Sequence, residues 1–189
     1  MYHGHGGIME TEDFAMFVAS QQQTDVDTRI FWEEQRDEWL SALDSLYEKI
    51  AGFLREYIEA GSISYDFTEI EMNEPEVGKY LAKRMDIKIG RQHVSLVPIG
   101  TVLVALKGRV DAVGSAGRGQ ILLVDERVKS AADLIKVTVN IKGSIPSSPP
   151  AQKPPISWVW KILTNALQKS FEDLDKESFF ELVMEIANA

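Results

Sequence analysis

The spacing of large apolar side chains predicts one long helix in the first third of the chain. Between residues 27 and 60 these side chains recur at steps of three, four or seven residues, and the line consists of Trp32, Trp39, Leu43, Leu46, Ile50, Phe53 and Tyr57. Steps of three and four place side chains on one face of an α-helix. Asp25, Asp27 or Thr28 can cap its start, and Gly61 suits its end. We therefore predict an amphipathic helix over residues 26–61.

The pattern changes after Gly61 to an alternation of apolar and polar residues. This alternation is typical of strands with one buried face, and it occurs in segments 63–68, 84–89, 93–97, 101–113, 120–124, 135–141 and 156–162. The short connections between most of them favour antiparallel neighbours. A second amphipathic helix begins near Asp175. The predicted fold class is α+β, with a long N-terminal helix, a mostly antiparallel sheet of about six or seven strands and a C-terminal helix.

The composition along the chain predicts three parts. Residues 1–25 are expected to form a flexible leader, residues 26–61 the long helix, and residues 62–189 an α+β domain with a proline-rich linker at residues 143–155. A small apolar group within the leader consists of Phe14, Met16, Phe17 and Val18. We expect it to form a short turn docked on the core, and docking on a partner is the alternative.

The length of the predicted helix points to a partner. A helix of about 30 residues is about 45 Å long, whereas a domain built from the rest of the chain is roughly 30–35 Å wide. We expect part of the apolar line to contact a helix of another molecule, because no other helix in this chain is long enough to cover it. The interface prediction is the line from Trp32 to Tyr57, and the predicted partner is a second protein or a second copy, bound through residues 28–60.

Composition excludes several classes of protein. The 189 residues are 44% hydrophobic and 26% charged, which is ordinary for a globular protein and excludes a wholly disordered or collagen-like chain. The chain has no cysteine, so it has no disulfide, thiolate metal site or cysteine nucleophile. No apolar run is long enough to span a membrane, and no signal peptide is evident. We expect a cytoplasmic protein without a cofactor or a metal site.

Charge is distributed unevenly. The net charge is −14 over residues 1–78 and +7 over residues 79–142, within a total of −9. An alternative function is therefore anion binding by the basic part of the sheet; its candidate residues are Lys83, Arg84, Lys88, Arg91, Arg109 and Lys136. Nucleic acid is a less favoured partner, because the chain is acidic overall and these residues are not interleaved with exposed aromatic side chains.

Two acidic residues on neighbouring predicted strands form a candidate catalytic pattern. Asp111 lies on one predicted strand, and Asp125 precedes Arg127 and Lys129 at the end of the next strand. This short arrangement resembles the PD-(D/E)XK nuclease pattern. The resemblance implies that Asp111 and Asp125 hold a metal ion beside a phosphate, with Arg127 in place of the usual lysine. Arginine does not give up a proton and is a poor substitute for the lysine. A nuclease is therefore the alternative, and the favoured prediction is a non-catalytic interaction protein.

Overall fold

The structure is a computed structural model, and it describes residues 9–101, 106–130, 133, 156–164 and 170–187. A long helix is followed by a seven-stranded antiparallel sheet and a final helix, which confirms the predicted α+β class. The elements are α1 (Met9–Glu59), β1 (Ile63–Glu74), β2 (Gly78–Ile89), β3 (Gln92–Gly100), β4 (Gly108–Val113), β5 (Arg118–Asp125), β6 (Trp158–Thr164), β7 (Ser170–Asp173) and α2 (Lys176–Ala187).

Helix α1 begins earlier than predicted. It starts at Met9 and has 51 residues, so the predictions of a flexible leader and of a docked turn are wrong for residues 9–25. Residues 9–51 contain neither glycine nor proline, and many of them are good helix formers such as alanine, glutamate, glutamine and methionine. Intrinsic helix propensity thus continues the helix through a segment where the apolar spacing is too weak to reveal it. The remaining part of the predicted leader, residues 1–8, lies outside the described residues.

The strands follow one another in the sheet in chain order, each antiparallel to its neighbours. Gly90 has a φ of 59° in the turn between β2 and β3, a conformation that glycine adopts without steric strain. Strand β7 was not predicted, since four residues are too few to show an alternation. The predicted strand at residues 135–141 and the linker at residues 143–155 lie outside the described residues.

One face of the sheet carries the main core. Helices α1 and α2 both pack on this face, and Trp39 and Phe179 are their largest fully buried side chains. Leu96 and Ile121 meet them from the sheet. Fully burying side chains of this size contributes about 1.5–3 kcal/mol each. A smaller cluster lies apart from this core and contains Leu122, Val124 and Val128.

The hairpin of β1 and β2 extends beyond the sheet and packs against α1. Only the segment Met85–Ile89 of β2 also pairs with β3, so the rest of the hairpin is a two-stranded ribbon. In β2 the buried residues are odd-numbered at Met85 and Ile87 but even-numbered at Tyr80 and Ala82, although the register with β1 is unbroken. Strong twist, which is typical of two-stranded ribbons, accounts for this change of face.

Candidate association surface

The apolar line predicted as an interface is largely buried within the chain itself. Trp39, Leu43, Leu46 and Ile50 are at most 2% exposed and belong to the main core. These four residues are covered by the protein's own sheet and helices, so their assignment to an interface with another molecule is wrong. Helical spacing showed that this face must be covered, but it did not identify the surface that covers it.

The ends of the predicted line have different surroundings. Near its C-terminal end, Phe53 and Tyr57 pack against aromatic residues of α2, with ring centroids 6.1 Å from Phe179 and 5.8 Å from Phe180 respectively. At its N-terminal end, Trp32 is half-buried and contacts the ring of Phe31 at 5.0 Å. Trp32 is therefore the member of the line that lies where α1 leaves the body of the protein.

Trp39 and its neighbours fix α1 at that point. A Cβ atom added to Gly108 would lie 2.1 Å from the Trp39 ring, so β4 can approach this ring closely only because residue 108 is glycine. Trp160 of β6 packs on another side of it, with ring centroids 6.1 Å apart. Glu38, the residue before Trp39 in α1, forms an ion pair with Lys107. These contacts hold α1 against the body of the protein up to about residue 38.

A buried polar group ties the ribbon to the end of β3. The carboxylate of Glu74 accepts hydrogen bonds from the Tyr80 hydroxyl and from the backbone N–H of Thr101, the latter at 2.9 Å. Burial, followed by the hydrogen bond to Glu74, raises the pKa of Tyr80 above its usual value. Gly100 lies against the same carboxylate and has a φ of 138°, in the region that favours glycine. This group has a structural role, because it closes the ribbon over α1.

Beyond this anchor, α1 forms an arm, which we define as residues 9–31. At 1.5 Å per residue the arm is about 35 Å long, and every side chain described from residue 13 to residue 31 is exposed. Three phenylalanines in this part are half-exposed or more, namely Phe14 (66%), Phe17 (57%) and Phe31 (50%). Large aromatic side chains are usually buried, so three of them on one exposed stretch of helix make the arm a candidate association surface.

The apolar side chains of the arm lie on two sides of the helix. Helical steps of three and four continue the buried line of α1 backwards through Phe14, Val18, Gln21, Asp25, Thr28 and Trp32, which we call the arm seam. Phe17 and Phe31 flank one side of this seam. Met16, Val26 and Ile30 are exposed on the opposite side of the helix. The arm seam carries more aromatic surface than the opposite side does.

Two features of the sequence could have predicted the arm and its seam. The first is that the steps of three and four residues continue on the N-terminal side of Trp32. Steps of four and three run from Phe14 to Trp32, but polar residues occupy Gln21, Asp25 and Thr28, so a search for apolar residues alone does not find the seam. The absence of any glycine or proline from residues 9–51 is the second signal. Together they indicate a continuous helix with a half-polar seam.

The nuclease-like pair does not converge. Asp111 faces Gln120 across β4 and β5, and Asp125 lies five residues further along β5, a distance of about 17 Å. Side chains alternate between the two faces of a sheet along a strand. Because five is an odd number, Asp125 lies on the opposite face from Gln120 and Asp111. In addition, each carboxylate is paired with an arginine of its own strand or turn: Arg109 donates to Asp111 at 2.6 Å, and Arg127 donates to Asp125 at 2.8 Å.

These contacts exclude the metal site that the resemblance implies. Hydrogen bonds from Arg127 lower the pKa of Asp125 to about 2. Lys129 is exposed, and its backbone N–H donates a hydrogen bond to the carboxylate of Asp133, not to that of Asp111. Within the described part of the chain, no group of three or more His, Cys, Asp or Glu side chains could hold a metal ion. The nuclease alternative is therefore wrong in its geometry.

The basic candidates for anion binding are mostly paired with carboxylates of the same chain. Lys83 contacts Asp44 at 3.0 Å, and Arg84 contacts Asp86 at 2.9 Å. Arg109 pairs with Asp111 as described. Among the described residues, Lys88 and Arg91 are exposed near the turn between β2 and β3 and have no ion pair within 4 Å. Lys136 lies outside the described residues. No concave basic site results from this arrangement.

Burial alone would raise the pKa of Asp86, but hydrogen bonds from Ser95, Arg84 and Thr68 outweigh it and lower the pKa below the usual value. Asp86 therefore stays ionised and neutralises the basic residue beside it. This network explains in part why the net positive charge of residues 79–142 does not form an anion site.

Two open grooves lie along the packed half of α1. The larger, of about 670 Å³, lies between α1 and β1 and is lined by aromatic and charged side chains that include Tyr47, Tyr65, Phe67 and Lys83. The other, of about 580 Å³, lies beside Trp158 and Trp160. Trp160 packs against the main core, whereas Trp158 is 39% exposed with Lys107 over its ring. Neither groove brings together a nucleophile, a base and a group that could orient them.

Comparisons with known proteins do not assign a function. None of the helices in the described residues has an apolar stretch long enough to cross a membrane. No protein-family model matches the chain, and neither curated proteins nor solved structures give a match. The arm is thus the feature of the molecule from which a function can be argued.

Proposed function

We propose that the protein is a non-catalytic interaction protein, cytoplasmic and without a cofactor, that associates with a helical partner through the arm of α1. The observation that carries this proposal is the exposure of Phe14, Phe17 and Phe31 on a helix that leaves the body of the protein. A helix is the natural partner, because seam residues at steps of three and four fit between the side chains of a second helix.

The energetics favour covering the arm. An isolated helix gains little stability in water, and most helical stability comes from packing of an apolar face. Removing apolar surface from water contributes about 25 cal/mol per Å², and aromatic side chains supply most of the apolar surface on this seam. A partner helix would therefore both bury the rings and stabilise the helical arm.

The alternative of anion binding has less support. Five acidic residues and one arginine lie between residues 9 and 31, so the arm itself repels anions. Most of the basic candidates on the sheet are neutralised by their own neighbours, as Lys83 is by Asp44. Protein association through the arm is therefore the better supported function.

Photo-crosslinking in the native cells tests the proposal. A photo-reactive phenylalanine at position 17 should form a covalent product with a partner, and this product should disappear when Phe14 and Phe31 are changed to glutamine. Matched control positions are Leu81 and Met184, which are both 57% exposed, as Phe17 is, but lie outside the arm. They should give no product.

The mass of the product identifies the type of partner. A product at twice 21.2 kDa indicates a second copy, and any other mass indicates a different protein. A photo-reactive residue at position 17 that forms no product, or forms one that the Phe14→Gln and Phe31→Gln changes leave intact, would overturn the proposed function.

A further inference from the structure

The polar residues at the centre of the arm seam indicate which type of helix can pack against it. From its ends inward the seam has Phe14 and Trp32, then Val18 and Thr28, and then Gln21 and Asp25. It is therefore aromatic at both ends and polar in the middle. A matching partner must offer apolar surface at both ends and hydrogen-bonding groups in the middle, and a second arm in the antiparallel direction offers both.

We infer that the partner is a second copy of this chain, whose arm packs against the first in the antiparallel direction; this inference rests on the proposed function. In the matching register Phe14 faces Trp32 of the second copy, and Val18 faces Thr28. Gln21 then faces Asp25, so that an amide can donate to a carboxylate at the centre. On the flank, Phe17 comes next to Phe31 of the second copy.

The parallel arrangement is disfavoured by charge. With two arms parallel and in register, each seam residue faces its own copy, so Asp25 would face Asp25. Two carboxylates brought together at a partly desolvated contact repel each other. The antiparallel register separates these carboxylates and gives each of them a neutral donor in Gln21.

The register also sets how far the two copies overlap. When Phe14 faces Trp32, the seam residues from Phe14 to Trp32 of each copy all lie against the other copy. A shorter overlap would leave some of these seam residues exposed.

The acidic residues of the arm weaken this contact, and the effect is greatest at low salt. Asp13, Asp27 and Glu33 are exposed and, by helical spacing, lie away from the arm seam. Like charges at such outward positions are far apart and are screened by salt. Asp25 is the acidic side chain of the described arm that lies in the seam, and the antiparallel register pairs it.

Distances between spin labels test the orientation in the full-length protein. The chain has no cysteine, so single cysteines can be placed at three outward, exposed positions: Asp13, Gln23 and Glu33. The antiparallel dimer predicts that the two labels at position 23 give the shortest of the three distances, because only the width of the helix pair separates them. At position 13 or 33 it predicts labels that are separated by about 30 Å along the helix axis, since each residue adds 1.5 Å in each copy.

The outcomes separate the inference from the proposed function. Equal distances at all three positions mean a parallel dimer, which overturns the antiparallel inference but leaves association through the arm standing. The absence of any intermolecular dipolar signal at concentrations well above those in the cell overturns self-association. In that case the photo-crosslinking experiment decides whether the arm binds a different protein or none.

A charge substitution gives a second, independent test. Gln21→Lys places a lysine opposite Asp25 twice in the antiparallel dimer, and we expect dimerisation to become about tenfold tighter at low salt. In a parallel dimer the same change places lysine opposite lysine and weakens association. Weaker association of Gln21→Lys would therefore overturn the inference.

Gln23→Lys is the matched control for this substitution. Gln23 donates a hydrogen bond to Asp27 at 2.7 Å, four residues further along, just as residue 21 precedes Asp25 by four. Both substitutions therefore add the same charge and the same type of contact within the helix. Because Gln23 lies on the outer side of the arm, its change should leave the dimerisation constant within about twofold.

Discussion

The two halves of α1 lie on one continuous helix but have different surroundings. From Trp39 to Leu54 the helix is covered by the sheet, the ribbon and α2; Trp39, Leu43, Leu46 and Ile50 are almost completely buried and Phe53 is partly buried. From residue 13 to residue 31 the same helix is exposed on all sides. The seam spacing is similar in both halves. What differs is the chemistry of the seam, which is uniformly large and apolar in the packed half and interrupted by Gln21, Asp25 and Thr28 in the arm.

The chemistry of the two seams suits the packed half of α1 to folding and the arm to association. A uniformly apolar seam is permanently buried, because exposing it would cost several kcal/mol. A seam with polar residues at its centre can be exposed in a monomer and covered in a complex, and its polar residues can fix register and orientation. The packed half therefore determines stability, and we propose that the arm determines partner choice.

The largest expected effect is the loss of Trp39 from the packed half. Trp39→Ala should lower the free energy of unfolding by about 3–5 kcal/mol, because it removes a fully buried ring and leaves a cavity beside Gly108 and Trp160. Urea unfolding followed by far-ultraviolet circular dichroism measures this loss. A decrease of less than about 1 kcal/mol would mean that Trp39 does not anchor α1.

The next effect concerns the contact between β4 and α1. Gly108→Ala should lower the free energy of unfolding by about 1–3 kcal/mol, since the new Cβ would overlap the Trp39 ring. Gly52→Ala is the matched control, because Gly52 lies within α1 and has no atom within 4 Å of the position of a Cβ. It should instead stabilise the protein by about 0.5–1 kcal/mol. Equal effects of the two changes in thermal unfolding would contradict the close contact.

A smaller effect is expected where the ribbon meets α1. The Tyr47 hydroxyl donates a hydrogen bond of 2.6 Å to the backbone carbonyl of Lys83. Tyr47→Phe should therefore reduce the free energy of unfolding by about 1 kcal/mol. Burial of this side chain, together with the nearby Asp44 and Asp86, raises its pKa above the usual value. An unchanged urea midpoint would show that the ribbon is not held by this bond.

The smallest effect on stability is expected in the arm. Phe17→Ala should change the free energy of unfolding of the monomer by no more than about 0.5 kcal/mol, because the ring is 57% exposed. The same substitution should weaken association by about tenfold or more, since it removes an aromatic side chain from the contact. Urea unfolding at high dilution and sedimentation velocity measure the two quantities. A large loss of stability with unchanged association would mean that Phe17 contributes to folding and not to association, contrary to the roles proposed for the two halves of α1.

The sequence predicts the elements of the fold better than it predicts what covers them. Steps of three and four reveal the packed half of α1, and the alternation around Ile87 and Val94 reveals β2 and β3. Both patterns report that one face is buried, but neither identifies the opposing surface. The sequence alone therefore assigns the line from Trp39 to Ile50 to a partner, although the chain's own sheet covers it.

The candidate surface was harder to predict for a related reason. In the arm the large residues are separated by polar ones, so the helix from Met9 onward is favoured by intrinsic propensity rather than by a continuous stripe. The sequence does not show that α1 stops packing against the rest of the protein near Glu38. Without that boundary, the aromatic rings of the arm cannot be identified as exposed. The twist of the ribbon, which turns Tyr80 towards the core, is likewise set by three-dimensional packing and has no local sequence signal.

Amide hydrogen exchange measured over a range of protein concentrations tests the central claim most directly, because it reads both halves of α1 in one experiment. The account predicts that amides of residues 39–54 exchange slowly at every concentration. Amides of residues 13–31 should exchange rapidly at high dilution and become protected as concentration rises. Arm amides that are as slow as those of the packed half at the lowest concentration, or that stay rapid at every concentration, would contradict the claim that the arm is covered by self-association.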